Sequence, residues 1–123
     1  MVPAVRCDVV IEQGATFHME YTWLGADGVP IDLTDYTAHS QVRASHVATE
    51  VQLDMSSEND PLEDDTWISL GGASGLVILH AGADATRAIT VLSGVYDVEL
   101  TSPGGDVYRL AEGRVSVTRE VTR

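Results

Sequence analysis

Hydrophobic and polar residues alternate with a period of two in several short segments of this chain. The clearest segment is residues 15–24, where Phe17, Met19, Tyr21 and Trp23 share one face and polar residues share the other. Successive side chains of a strand point to opposite faces, so this aromatic face is predicted to be buried. Similar patterns predict further strands at residues 5–12, 36–44, 51–55, 66–70 and 75–81.

The closing segment, "GVYDVELTSPGGDVYRLAEGRVSVTREVTR", predicts a β-hairpin. Tyr96, Val98 and Leu100 share one face of its first arm, and "SPGGD" then supplies the residues of a tight turn. The second arm is predicted to run from residue 107 to the end of the chain. Gly113 interrupts its alternation, which predicts a β-bulge at that glycine.

These elements predict an all-β protein. Residues 82–90 are the helix candidate, with Asp84 as the predicted N-cap. Many short strands separated by turn signals indicate a single antiparallel β-sandwich over residues 1–123, immunoglobulin-like, with seven to nine strands and at most one short helix near residues 83–89. The residues predicted to be core or partly core are Phe17, Tyr21, Trp23, Tyr96, Val98 and Leu100.

Composition excludes several partners. The chain has 19 acidic and 7 basic residues and a formal net charge of −12, which repels nucleic acid. No apolar run approaches the ~18 residues of a membrane span. The opening "MVPAVRCDVV" lacks the pattern of a signal peptide, so we expect assembly in a cytoplasm.

Candidate chemistry is sparse. The segment 58–65 contains Glu58, Asp60, Glu63, Asp64 and Asp65, whose oxygens suit calcium. Its spacing lacks the alternate-residue pattern and central glycine of a loop-type calcium site, which favours a solvated loop and leaves calcium binding open.

The remaining reactive residue types are scattered. The histidines, which have no metal-ligand spacing, are His18, His39, His46 and His80. The one cysteine, Cys7, lies in an apolar strand pattern, so it is predicted to be a small core residue. No nucleophile has the local context of a catalytic site. We therefore expect no enzymatic activity and no cofactor.

Charge is divided unevenly along the chain. Residues 1–108 carry 17 acids and 3 arginines, a net charge of −14, whereas residues 109–123 carry 2 acids and 4 arginines, a net charge of +2. This division predicts a head-to-tail contact between copies, in which an acidic patch meets the arginines of a neighbour. The alternative is that the arginines offset acids of their own subunit. The candidate interface residues are Glu63, Asp64, Asp65, Arg109, Arg114, Arg119 and Arg123.

Two segments carry a resemblance to a known family. "IEQGATFHMEYTWLGADGVPIDLTDYTAHSQVR" (residues 11–43) and the closing hairpin resemble small bacteriophage β-sandwich virion proteins, whereas residues 46–93 match poorly. The shared features are turn and strand signatures, including "QG", an aromatic strand ending in Trp23, and the terminal "EVTR".

The resemblance implies a structural protein of the virion that works in many copies. Members of this group are similar to tail-tip collar proteins of long-tailed phages, to which side fibres attach. It implies a homo-oligomeric collar or fibre-anchoring ring, at the tail tip or baseplate, in contact with other phage structural proteins. A capsid decoration or head-tail connector subunit is the alternative within this class.

A different class also stays open. A β-sandwich can be a module that binds a carbohydrate or a protein on the host surface. Exposed aromatic residues would favour that function, and Trp67 and Tyr108 are the candidates.

Overall fold

The computed structural model describes residues 4–122, which form nine strands, one short α-helix and one 3₁₀ turn. The elements are β1 (Val5–Arg6), β2 (Val9–Glu12), β3 (Phe17–Thr22), β4 (Thr37–Arg43), β5 (Val51–Ser56), β6 (Thr66–Leu70), the 3₁₀ turn (Gly72–Ser74), β7 (Leu76–Ala81), α1 (Ala83–Arg87), β8 (Ser93–Thr101) and β9 (Val107–Thr118). The prediction of an all-β chain with at most one short helix is confirmed at this level.

The strands form two sheets that face each other across the core. The larger sheet has the order β1-β9-β8-β4-β5, with β2 also paired to β9, and the smaller has the order β3-β7-β6. The prediction of a purely antiparallel sandwich is wrong at one edge, where β1 and β2 run parallel to β9. The turn at residues 13–16 carries the chain to the smaller sheet, so β2 pairs with the last strand instead of with β3.

The first predicted strand, residues 5–12, is interrupted at Cys7 and Asp8. The Cys7 N–H donates to the carbonyl oxygen of Glu112 at 2.9 Å, and the Arg114 N–H donates to the Asp8 carboxylate at 2.9 Å. A side chain thus replaces a backbone partner in the ladder, which separates β1 from β2. Cys7 itself is half-buried at this break and is not part of the buried core, contrary to the prediction.

The closing hairpin is confirmed, but its irregularity lies elsewhere than predicted. Gly113 pairs in register with Tyr96, and the register shifts between Val98 and Glu99, opposite Leu110. Gly113 is instead where the backbone of Cys7 approaches so closely that a β-carbon would collide with its carbonyl oxygen. The last strand ends at Thr118, short of the predicted end.

The predicted helix forms, although its N-cap is not the predicted residue. Gly82 is the N-cap and Asp84 lies inside the first turn. The Asp65 carboxylate, from the residue that precedes β6, accepts the Ala85 N–H at 2.7 Å and so supplies the missing cap from outside the helix.

The core lies between the inward faces of the two sheets. Apart from Cys7, every residue predicted to be core is buried or packed against the buried cluster, as the alternation indicates. Trp23 lies at one end of it, with its ring 5.5 Å from that of Tyr108 and 6.2 Å from that of Tyr36. The alternation therefore identifies the buried faces of both sheets.

Two tyrosines bridge the sheets and hold the interrupted edge. The hydroxyls of Tyr21 on β3 and Tyr96 on β8 are 2.9 Å apart, and Tyr96 donates to the carbonyl oxygen of Cys7 at 2.5 Å. Burial raises the pKa of Tyr96 to about 12. Burial, together with the Tyr96 hydroxyl, also raises the pKa of Tyr21 above its ordinary value.

These raised pKa values predict a loss of stability at alkaline pH. An unfolded tyrosine ionises near pH 10, so the native state retains protons that the unfolded state releases. The free energy of unfolding should stay level below about pH 10 and fall between about pH 10 and 12. Denaturant titrations across this range measure it, and the double variant Tyr21→Phe/Tyr96→Phe should lack most of the fall. Native tyrosines that all ionise near pH 10 by ultraviolet absorbance would contradict this prediction.

Candidate subunit interface

The acidic loop, residues 58–65, joins β5 to β6 and is shaped by its own side chains. The Asp64 carboxylate accepts the Asp60 N–H at 2.7 Å, and the Asp60 carboxylate accepts the Leu62 N–H at 2.9 Å. These bonds close a tight turn whose tip is Leu62, 91% exposed. Glu63 is exposed beside it and forms no ion pair within residues 4–122.

The three acids predicted for the interface therefore have different surroundings. Asp64 closes the turn and Asp65 caps α1, so both carboxylates already serve the fold. Glu63 leaves its carboxylate in solvent. Of the three, Glu63 is the residue whose charge is most available to another molecule.

Arg109 is engaged by acids of its own subunit. Its guanidinium lies 3.3 Å from the Glu112 carboxylate and 3.7 Å from that of Asp97 on the neighbouring strand. This arrangement matches the alternative in which an arginine offsets local acids. Arg109 therefore contributes little free positive charge to a contact.

Arg114 and Arg119 are exposed and differ from Arg109. Their guanidinium groups form no ion pair with a carboxylate in the described part of the chain. Arg114 uses its backbone N–H to bind the Asp8 carboxylate, a bond that holds the pKa of Asp8 below its usual range. Arg123 lies outside the described residues.

Segment 119–122 is fastened to α1. Arg87 binds the Glu120 carboxylate with distances of 2.9 and 3.2 Å, and the Glu120 N–H donates to the Gln13 side chain at 3.2 Å. Anchoring at Glu120 leaves its neighbours Arg119 and Val121 exposed, the latter at 91%.

The acidic loop and Arg114 lie on opposite sides of the sandwich. The loop leaves β5, at one edge of the larger sheet, whereas Arg114 is on β9, next to β1 and β2 at the other edge. Three strand spacings of about 4.8 Å separate β5 from β9, roughly 14 Å. The structure does not bring the candidate acids and Arg114 together within one subunit, so only a second molecule can join them.

The two aromatic candidates for a binding module are partly covered. Tyr108 packs against Trp23 at the edge of the core. Trp67 stacks on His80, with ring centroids 4.6 Å apart and 9° between their planes, and His18 meets His80 edge-on at 6.3 Å. Trp67, His80 and His18 lie in one cross-strand row on the outer face of the smaller sheet.

Groups suited to metal binding or catalysis are dispersed. Within residues 4–122, no cluster of three or more His, Cys, Asp or Glu side chains has the geometry to hold a metal ion. His18 and His39 are exposed on strand faces and pair with Glu20 at 3.5 Å and Asp54 at 3.0 Å, respectively. No helix among the described residues has the length and apolar character to cross a membrane.

Three residues near these surfaces were missed by sequence reasoning. Arg6 and His46 are far from Arg114 in sequence but line one groove with it. Leu62 could have been identified from the sequence, since it is a single large apolar residue in an acidic, polar segment.

Comparison with known protein families and with curated protein sequences found no match for this chain.

Proposed function

We propose that this protein is a structural subunit of a bacteriophage virion, at the tail tip or baseplate, where copies form a collar or fibre-anchoring ring. The observation that carries the proposal is the placement of an acidic, leucine-tipped loop on one side of a small sandwich and of Arg114 on the other. The resemblance of residues 11–43 and 94–123 to virion proteins supports the proposed location in a virion.

Two different patches, the acidic loop on one side and Arg114 on the other, would allow one protein to assemble in many copies. A contact between different patches leaves one free patch at each end of a pair, so further subunits can add until the ring closes. A two-fold contact centred on the acidic loop would set acids against acids, which repulsion disfavours. The two-sheet plan and the dispersal of catalytic residue types over residues 4–122 are compatible with a structural role.

Mass spectrometry of dissected virions tests this function. We expect the protein in purified tails, in a fixed ratio to tail-tip proteins, and not in heads. Recovery with heads would favour the capsid decoration or head-tail connector alternative. Recovery from infected-cell lysate but never from particles would contradict every virion function, and would favour a free module that binds the host surface.

A further inference from the structure

A groove crosses the outer face of the larger sheet near its β1 edge. It lies between the turn at residues 44–46 and β1, and encloses about 420 Å³. Its floor is formed by the start of β8 and by residues 113–116 of β9, including Gly94, Val95 and Gly113. A volume of this size is within the range of pockets that bind small groups of side chains or ligands.

Around this groove, one arginine side chain has no ion pair with a carboxylate of the described residues. Arg6, Arg114, His46 and Glu112 are among the residues that line it, and Arg6 is paired with Asp8 at 3.3 Å. Glu112 is already bound by Arg109 at 3.3 Å. The Arg114 guanidinium is therefore the cationic group of this groove that is most available to another molecule, in a chain with a net charge of −12.

The acidic loop has the complementary features. Leu62, 91% exposed, is held at the tip of a turn that the carboxylates of Asp60 and Asp64 close from within. The carboxylates of Glu63, next to the tip, and of Glu58, at the start of the loop, are exposed and are not used by the fold of the described chain. An exposed leucine on a preorganised turn, between free acids, has the form of an interface anchor with a charged rim.

We propose that this groove binds the acidic loop of a second copy of this chain, so that Leu62 covers the floor beside Val95 and Glu63 pairs with Arg114. The inference rests on the assembly stated under the proposed function, and it names the two halves of the contact. Arg6 and His46 place polar side chains on the two walls. Burial of Leu62 supplies affinity, while the charged pairs fix orientation.

Two variants, each lacking one half of the contact, test the pairing. The groove variant is Arg6→Glu/Arg114→Glu, and the loop variant is Leu62→Ser/Glu63→Lys. All four positions are exposed, and the Arg6–Asp8 ion pair that the groove variant loses is at the surface, where such pairs contribute little stability, so both variants should remain folded by circular dichroism. Each should weaken self-association at least about tenfold in sedimentation velocity. A matched control, Val29→Ser/Asp106→Lys, changes an exposed apolar and an exposed acidic residue elsewhere and should assemble as the parent does.

Mixing the two variants is the decisive step. The mixture contains one intact loop and one intact groove, so it should form a one-to-one heterodimer that cannot extend. A parent protein that stays monomeric, variants that assemble like the parent, or a mixture that stays monomeric would each overturn the inference. The virion location is measured separately, so a failure here with the protein present in tails would leave the proposed function standing.

Discussion

Replacement of Gly113 by alanine is expected to lower the free energy of unfolding by about 2–3 kcal/mol. A β-carbon at this position would collide with the carbonyl oxygen of Cys7, and it would lie 3.0 Å from the Asp8 carboxylate. The first obstacle is backbone, so no side-chain rotation relieves it. The β1–β2 edge has to move away from β9, which strains the bonds of Cys7 to Glu112 and Tyr96.

Chemical denaturation of Gly113→Ala beside Gly104→Ala measures this effect. Gly104 lies in the turn of the closing hairpin, where a β-carbon would have the Ser102 hydroxyl oxygen, at 3.9 Å, as its nearest neighbour. The control should change stability by no more than about 0.5 kcal/mol. Equal effects of the two substitutions would show that the approach of Cys7 does not require glycine. Because β1 carries Arg6, the Gly113 variant should also assemble less well.

Replacement of Thr86 by valine is expected to cost about 2 kcal/mol. Thr86 is fully buried on α1, where its hydroxyl accepts the Gly14 N–H at 3.0 Å and donates to the Ala15 carbonyl at 2.9 Å. Valine preserves the shape but leaves both backbone groups of the turn at residues 13–16 without this partner. That turn also provides Gln13, which binds the Glu120 N–H and so helps to hold segment 119–122.

The conservative variant Thr86→Ser separates hydrogen bonding from packing. It retains the hydroxyl and loses one methyl group, so its cost should be nearer 1 kcal/mol. Thermal or denaturant unfolding of the two variants measures the difference. A serine variant as unstable as the valine variant would show that the methyl group, not the hydroxyl, joins the helix to the turn.

The candidate interface is predicted from counts of charged residues alone. The structure shows which of those residues are already paired within the subunit. A count treats the four arginines of the last fifteen residues alike, yet Asp97 and Glu112 bind Arg109, whereas Arg114 and Arg119 have no such partner among residues 4–122. Likewise Asp65 caps a helix while Glu63 remains in solvent. A net charge adds all side chains equally, but a charge already paired within the subunit attracts a neighbour only weakly.

The alternation of residues by itself determined most strands and the buried faces. It predicts strand β6 at its observed limits, and it assigns the faces with Phe17, Val98 and Leu100 correctly. These features follow from the period of two, which is a local property of the backbone. The hairpin turn can likewise be predicted from the sequence, because proline and glycine set its dihedral angles locally.

Only the tertiary structure decided the parallel pairing of β1 and β2 with β9, the break at Cys7 and Asp8, and the groove that unites Arg6 with Arg114. Each depends on residues more than 100 positions apart in sequence, such as Asp8 and Arg114. No local pattern encodes such a partner, because a strand has the same alternation whichever edge it joins. The shape of the groove, and which charged side chains remain free for a partner, are therefore set only when the two sheets pack together.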